Sequence, residues 1–430
     1  MNRRQFIGAS AAVAAASTMP SLAQRENAGA SLPPSIAALT SMRDQVKPIT
    51  NDERRARIQK AKRLMADEKI GALVLTPGTS LVYFTNIRWS GGERLFACVV
   101  PAKGEPFFVC PAFEEDRARE QIAHGSFGGG RADVRTWRED ESPYEILASG
   151  LKDRGISTAS IGIEENAKFV WSSGIASAAS HARIVSGTAI TAGCRMIKDA
   201  HEIELMQLAS TATLKVYEAV YRALQPGMTQ TQASDLIDAA YQRVGFRGDA
   251  TVQTGEWTAL PHGSTTAQVI REGTIVMVDD GCTVDGYQSD ITRTFVLGKA
   301  TDKAKRVFEI VKAAQSAALH AAKPGVPLES IDAAARDVIT AAGYGPGFKY
   351  FTHRVGHGIG MDGHEWPYLV KNDMFGFTKS LAAKAGMTFS DEPGIYIRGE
   401  FGVRLEDDMV ITADGARLLT PQSESLEKPF

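Results

Sequence analysis

The pattern of apolar and polar positions divides the chain into two parts. In the first part, a helix-like stretch that starts near Asp52 is followed by short apolar runs separated by turns, which are typical of strands. These runs are GALVLT, SLVYFT, LFACVV, PFFVCP, ASIGIE and ARIVSG. Helix-like and strand-like stretches in one segment predict a mixed α/β domain over residues 51–192.

The second part, residues 193–430, carries an internal repeat. A long helix-like pattern precedes Pro226-Gly227, and a second helix-like stretch then stops at Gly245. The same arrangement recurs 98 residues later, with Pro324-Gly325 and Gly343. Each terminal glycine stands where a helix C-cap is expected. This repeat predicts two α/β half-domains related by a pseudo-twofold axis, although coincidence of common turn chemistry is the alternative.

The start of the chain resembles an export signal. Its charged, apolar and cleavage-site regions follow one another in the usual order: Arg3 and Arg4, residues 6–16, and residues 21–23. The paired arginines resemble a twin-arginine signal, which predicts a signal peptide over residues 1–23 and a periplasmic location. A disordered basic tail is the alternative. Residues 24–50, rich in Pro and Ser, are interpreted as a polar tether or arm.

Composition narrows the possible functions. The 430 residues include 48 Lys and Arg against 50 Asp and Glu, and this net charge of -2 argues against a nucleic acid partner. Four cysteines exclude a disulfide scaffold, while Cys98 and Cys110 are either a pair formed after export or two buried thiols. No later apolar run approaches the ~20 residues that span a bilayer, so we expect no stable membrane insertion.

Acidic residues and a histidine recur in the strand-rich stretches of the second part. Asp279 ends an apolar run, Asp290 follows eleven residues later, and His357, Glu392 and Glu406 lie in later segments. Oxygen and imidazole ligands of this kind suit Mn²⁺, Fe²⁺, Co²⁺ or Zn²⁺. Four carboxylates carry too much negative charge for one ion, so the set predicts two divalent ions. Such a pair turns water into a nucleophile and polarises a carbonyl group.

The neighbours of these residues resemble motifs of the pita-bread metallopeptidases, which include aminopeptidase P, prolidase and methionine aminopeptidase. The matching motifs are SDITRTF, GHGIG, DEPGIYI and VRLEDD. The resemblance covers roughly residues 195–415 and implies a pita-bread catalytic domain over 193–430. Residues 51–192 resemble the N-terminal α/β domain of the creatinase and prolidase branch. The run HRVGHGIGMDGHE is close to the proline-peptidase signature and departs from it at Gly363.

The resemblance also implies metal-binding roles. Asp279 binds one ion, His357 and Glu392 bind the other, and Asp290 and Glu406 bridge the two. Glu392 is in addition the expected proton shuttle. Mn²⁺ is the expected metal, with Co²⁺, Fe²⁺ or Zn²⁺ as alternatives.

Four further residues resemble active-site groups of the family that do not bind metal. His262 resembles a histidine that contacts the substrate or stabilises the tetrahedral intermediate. His353 and His364 resemble two more active-site histidines, and Arg404 resembles an arginine that orients carboxylate and substrate groups. A homodimer is expected, and the turn holding Trp89 and Arg94 could reach the site of a neighbouring subunit, as N-terminal loops do in dimeric relatives.

The resemblance implies hydrolysis of the amide bond of Xaa-Pro peptides by a metal-activated hydroxide. Two alternatives remain open. One is a small-molecule enzyme on the same fold, either a creatinase-like hydrolase or a metal-dependent lyase. The other is a non-catalytic relative that binds peptides or proteins, against which the complete ligand set argues.

Overall fold

A computed structural model describes residues 32–90, 92–128, 132–371 and 381–430. The predicted signal peptide and the first part of the predicted tether lie outside these residues. The rest of the tether packs on the catalytic domain: it contains the short helix α1, Pro34–Ala37, and buries Ile36, Met42 and Ile49. The amide of Met42 donates to the carbonyl of Val244 at 2.9 Å. This stretch therefore lies along the domain surface as an ordered arm.

The N-terminal domain is built on one six-stranded sheet, in the order β4-β3-β2-β1-β5-β6. The two pairings among β1, β2 and β3 are antiparallel, and the other three pairings are parallel. The strands are β1 Ile70–Leu75, β2 Ala97–Pro101, β3 Phe107–Pro111, β4 Asp133–Trp137, β5 Ser160–Ile163 and β6 Arg183–Ser186. Both β2 and β3 are buried along their whole length, because helices and loops cover both faces of the sheet.

Six helices surround this sheet: α2 Asn51–Asp67, α3 Thr79–Thr85, α4 Glu115–His124, α5 Pro143–Asp153, α6 Phe169–Ala178 and α7 Thr188–Arg195. Helix α2 begins at a capping box, in which Thr50 and Glu53 satisfy each other's backbone amides. Helix α3 corrects one expectation, because the apolar run SLVYFT is helical and not a strand. The run is too short to show the 3.6-residue period of a helix, and a short apolar run by itself does not distinguish a helix from a strand.

The catalytic domain contains four long helices: α8 Ala200–Tyr221, α9 Gln230–Val244, α10 Asp302–Ala321 and α11 Leu328–Ala341. Its first half adds the strands β7 Arg247–Gly248, β8 Thr251–Thr254, β9 Ile275–Asp279, β10 Cys282–Val284, β11 Tyr287–Gln288 and β12 Arg293–Val296. Its second half adds β13 Gly356–Gly358, β14 Glu365–Leu369, β15 Thr388–Asp391, β16 Gly394–Ile397, β17 Phe401–Arg404, β18 Asp407–Ile411 and β19 Ala416–Leu418. Two clusters of buried apolar side chains form the core, one drawn mostly from each half.

Matching contacts in the two halves agree with the predicted pseudo-twofold repeat. The amide of Gly227 donates to the carbonyl of Ile270 at 2.8 Å, and the amide of Gly325, 98 residues later, donates to Ala383 at 2.9 Å. The helix ends also match, since Gly245 and Gly343 have φ values of 87° and 89°. That left-handed backbone is open to glycine at little cost and ends a helix. The mixed α/β fold predicted from the sequence is confirmed.

Buried ion pairs join the end of α7 and the residues just after it to the segment 362–365. Arg195, at the end of α7, contacts the carboxylates of Asp362, at 2.5 Å, and Glu365. The ammonium group of Lys198 lies 2.6 Å from Glu365, and both side chains are at most 5% exposed. The hydroxyl of Thr79 in α3 also donates to Asp362, at 2.5 Å. The N-terminal domain therefore holds the segment 362–365 from one side.

A second ionic contact fastens the arm and α2 to α8. The Nδ1 atom of His201 lies 2.6 Å from a carboxylate oxygen of Glu53, and its Nε2 atom lies 2.9 Å from the carbonyl of Lys47. Both ring nitrogens face acceptors, so both donate when the ring is protonated. Burial opposes this state, but the bonds to Glu53 and Lys47 raise the pKa of His201. Burial alone would raise the pKa of Glu53. Its hydrogen bonds with Thr50 and His201 outweigh that effect and lower the pKa to about 2.

This contact predicts a pH window for its stabilising effect. The contribution of Glu53 to the free energy of unfolding should be present above about pH 4.5 and lost as the pH falls towards 2. The His201 contribution should be present below about pH 6.5 and lost as the pH rises through its raised value. Because the pair is partly exposed, we expect it to stabilise the fold by only about 0.5–1 kcal/mol between these two pH limits. Urea unfolding of wild type and His201→Gln across pH 4–9 checks this, and equal differences at every pH would contradict it.

All four cysteines are buried and present as free thiols. The Cys98 and Cys110 side chains lie in one core cluster, where burial raises the pKa of each thiol. Of the two alternatives for Cys98 and Cys110, the structure therefore has two buried thiols and not a disulfide. Among the residues that it describes, no helix combines the length and apolar character needed to cross a membrane.

Candidate metal centre and substrate cavity

The structure brings the five predicted metal ligands into one cluster between the two halves. Asp279 ends β9, and Asp290 lies in the loop before β12. His357 stands in the middle of β13, while Glu392 follows β15 and Glu406 precedes β18. The turn at Asp285-Gly286, predicted from the sequence, joins β10 to β11 and so lets β12 return beside β9.

Ligand atoms within this cluster form two overlapping groups, each spanning at most 4.8 Å. One group contains His357, Glu392 and Glu406, and the other contains Asp279, Asp290 and Glu406. Glu406 belongs to both groups, as a bridging ligand would. The Nε2 atom of His357 lies 3.3 Å from Glu392 and 3.8 Å from Asp290. Its Nδ1 atom donates to the Gly358 carbonyl at 3.1 Å, which leaves Nε2 free to bind a cation.

The electrostatics of the cluster fit a pair of divalent cations. Burial, followed by repulsion from neighbouring carboxylates, raises the pKa of Asp290 and of Glu406 well above the usual range. Burial also raises the pKa of Glu392 to about 7, although Arg404 opposes the shift. Carboxylates packed this closely are stable as anions only beside positive charge. One imidazole among four carboxylates is a donor set for a first-row divalent metal.

Arg404 and Thr292 hold the cluster in place. The Thr292 hydroxyl lies 2.5 Å from Asp279 and 2.6 Å from Glu406. Arg404 pairs with Asp279 and also donates to the Thr292 hydroxyl at 2.9 Å. A further donor of Arg404 bonds the Pro261 carbonyl at 3.0 Å, next to His262. Arg404 therefore links the carboxylates of the cluster to the loop of a predicted substrate-binding histidine.

His353 is held in one tautomer by its two partners. Arg404 donates to the Tyr396 hydroxyl at 3.0 Å, and Tyr396 donates in turn to His353 Nε2 at 2.7 Å. The Nδ1 atom of His353 donates to the carbonyl of Arg354 at 2.8 Å. Burial and then the nearby charge of Arg404 lower the pKa of His353 to about 3. The ring is neutral in ordinary buffers.

A cavity of about 500 Å³ opens above the cluster, and every predicted site residue lines it. His262 is exposed at its edge. The ring of His364 stacks on that of His357, with centroids 3.6 Å apart. Ligand atoms of His364, His357 and Asp290 also lie within 4.8 Å of one another. His364 is thus close enough to the cluster to act on substrate or to bind metal.

Some residues of the site were not found from the sequence. A period-two pattern places Arg404, Glu406 and Asp408 on one side of an extended segment, and Asp408 accepts from the Asp290 amide at 3.1 Å. That alternation was an available signal, whereas nothing in the sequence connects Tyr396 to His353. Asp391 and Asp407, which stand next to Glu392 and Glu406 in the sequence, are fully buried, and Asp407 pairs with Arg293 at 2.7 Å.

Comparison with known proteins agrees with this geometry. Residues 204–413 match the profile of metallopeptidase family M24, and residues 57–197 match the creatinase/prolidase N-terminal domain. The chain is 33% identical to the Xaa-Pro dipeptidase of Lactobacillus helveticus, over 86% of this chain and 98% of that protein.

The chain belongs to metallopeptidase family M24. Solved structures of M24 relatives cover nearly the whole described fold. Dipeptidase PepE from Mycobacterium ulcerans superposes with a TM-score of 0.80 at 33% identity, over 89% of this chain and 99% of that one. A prolidase from Thermococcus sibiricus superposes with a TM-score of 0.74 at 30% identity, over 85% of this chain and 96% of that one. This M24 protein thus has the pita-bread catalytic domain and the N-terminal domain that its motifs predict.

Proposed function

We propose that this metallopeptidase hydrolyses the amide bond before proline in Xaa-Pro peptides. The observation that carries the proposal is the convergence of all five ligand residues beneath one cavity that also holds three histidines. The names of its relatives, Xaa-Pro dipeptidase and prolidase, support the choice of substrate. A complete ligand set also favours an enzyme over a non-catalytic binding protein.

Each group in the site has a task in this reaction. Bound divalent ions would acidify a water molecule and polarise the substrate carbonyl. Asp279, Asp290, His357, Glu392 and Glu406 are the residues that would hold them. Glu392 accepts the proton released by the attacking water and passes it to the leaving proline nitrogen. His262 and His364 line the cavity and would donate to the oxyanion that forms on the carbonyl.

The proposal also covers the native metal, the cellular compartment and the oligomeric state of the protein. We propose Mn²⁺ as the native metal, because carboxylates dominate the donor set. The paired arginines near the start of the sequence support export to the periplasm. Exposed apolar side chains on the N-terminal domain support a homodimer: Phe113, Phe169 and Val170 are 68%, 85% and 57% exposed. Trp89, by contrast, stacks on Phe96 within its own domain.

Turnover on matched peptides tests the proposed function. Chain beginning at Gln24, loaded with Mn²⁺, should cleave Ala-Pro and Ala-Pro-Gly but not Ala-Ala or creatine, and chelation should abolish cleavage. Creatine hydrolysis that survives chelation would favour the creatinase-like alternative. Binding of these peptides without turnover at any metal loading would favour the non-catalytic alternative.

His262→Ala and His364→Ala should each lower turnover by about 10²–10³ while both metals stay bound, because each removes an oxyanion donor. Elemental analysis beside turnover measures the two effects separately. The exposed His181→Ala provides a control that should behave as wild type. Loss of metal in His364→Ala would move His364 into the ligand set, and unchanged turnover in both variants would leave the two residues as structural histidines.

A further inference from the structure

Arg354 is a cation in the wall of the catalytic cavity, and it has no carboxylate partner among the residues that the structure describes. Its guanidinium group lies 4.0 Å above the ring of Tyr368, and both residues line the cavity. Within the described ranges no carboxylate forms an ion pair with it. Arg354 is half-buried, whereas three buried arginines near the site are each paired with a carboxylate: Arg195 with Glu365, Arg293 with Asp407, and Arg404 with Asp279.

Within the described part of the chain, the contacts of Arg354 leave most of its donors free. One nitrogen donates to Nδ1 of His364 at 3.4 Å, which is a long and weak bond. A guanidinium carries five N–H donors in a rigid fork that matches a carboxylate. Stacking on Tyr368 fixes the plane of this fork and reduces the entropy lost when an anion binds. Arg354 is therefore a prepared carboxylate site beside the substrate.

Its position suits the end of a dipeptide. His364 separates Arg354 from His357, so the guanidinium is one imidazole ring away from the metal cluster. In an Xaa-Pro dipeptide the carboxylate carbon is three bonds from the scissile carbonyl carbon, which limits their separation to about 4 Å. A group that binds this carboxylate must lie next to the reacting atoms, as Arg354 does.

We propose that Arg354 binds the free C-terminal carboxylate of Xaa-Pro and makes the enzyme a dipeptidase. This inference rests on the proposed function and decides between dipeptidase and aminopeptidase. A longer peptide presents a neutral amide in place of the carboxylate, which leaves the half-buried guanidinium without an anionic partner. Loss of one partner from such a charged pair weakens binding by about 10²-fold or more.

Matched substrates test the inference. Metal-loaded wild type should prefer Ala-Pro to its amide, Ala-Pro-NH₂, by about 10² in kcat/KM. In Arg354→Gln, kcat/KM for Ala-Pro should fall by about the same factor, mainly through KM, while the value for the amide stays within about threefold. Arg354→Lys should show partial loss, because the charge remains and the fork is absent. Arg222→Gln, at the exposed end of α8, serves as the control and should match wild type.

The amide substrate separates this role from an effect on His364. If Arg354 acts only by holding His364, Arg354→Gln lowers kcat/KM equally for both substrates, and the inference is overturned while the proposed function stands. A wild type that cleaves the amide or Ala-Pro-Gly as efficiently as Ala-Pro also overturns it. A wild type that cleaves none of them, with metal bound, overturns the proposed function and this inference together.

Discussion

Replacing His357 with alanine is expected to remove one of two metal ions and to lower turnover by about 10³-fold. His357 supplies the nitrogen ligand of the group that it forms with Glu392 and Glu406. Without it, a metal at that position keeps only carboxylate ligands from the group and binds more weakly. A metal ion contributes several kcal/mol of transition-state stabilisation, which corresponds to about three powers of ten in rate. Elemental analysis and turnover, measured on the same preparation, check both effects.

The control for this variant is His320→Ala on α10, whose exposed ring bonds the Ser316 carbonyl in its own helix. It should keep two metal equivalents and wild-type turnover. Unchanged turnover in metal-replete His357→Ala would contradict the assignment of His357 as a ligand. Full metal content with lost turnover would make it a catalytic group of another kind.

Glu365→Ala should lower the free energy of unfolding by about 3–5 kcal/mol, the largest stability effect that we expect. The change leaves the Lys198 ammonium group buried without the carboxylate that pairs with it, and Arg195 keeps only Asp362. Urea denaturation measures the effect. Turnover should fall as well, because Glu365 follows His364 directly and anchors its segment to the N-terminal domain.

An exposed ion pair provides the matched control. Lys303 and Glu400 are 42% and 47% exposed, so Glu400→Ala should cost at most about 1 kcal/mol. If Glu365→Ala is no more destabilising than Glu400→Ala, the buried interdomain cluster contributes no more than a surface pair. Domain positioning would then depend on apolar packing alone.

Features set by local sequence were predictable. The glycine-terminated helices and the turn at Asp285-Gly286 depend on backbone conformations that few residues adopt, so they are visible in one sequence. Four of the ligand residues were recognisable because they stand within family-like motifs, and Asp279 was recognisable because it ends an apolar strand ahead of them. Their roles as ligands stay predictions until a metal is measured.

Features that depend on tertiary contact were not predictable. The run SLVYFT is too short for its period to distinguish a helix from a strand. The arm follows the catalytic domain because Ile36 and Met42 fit its core, although the surrounding polar residues suggest a tether. Arg354 stands inside a recognised motif, but only the fold shows that none of the described carboxylates pairs with it.

Anomalous diffraction from crystals soaked in Mn²⁺ tests the central claim most directly. The account predicts two peaks, roughly 3.5–4 Å apart, with one beside His357 and Glu392 and the other beside Asp279. Asp290 and Glu406 should contact both peaks. A single peak, or peaks away from these five side chains, would contradict a dinuclear centre built from them.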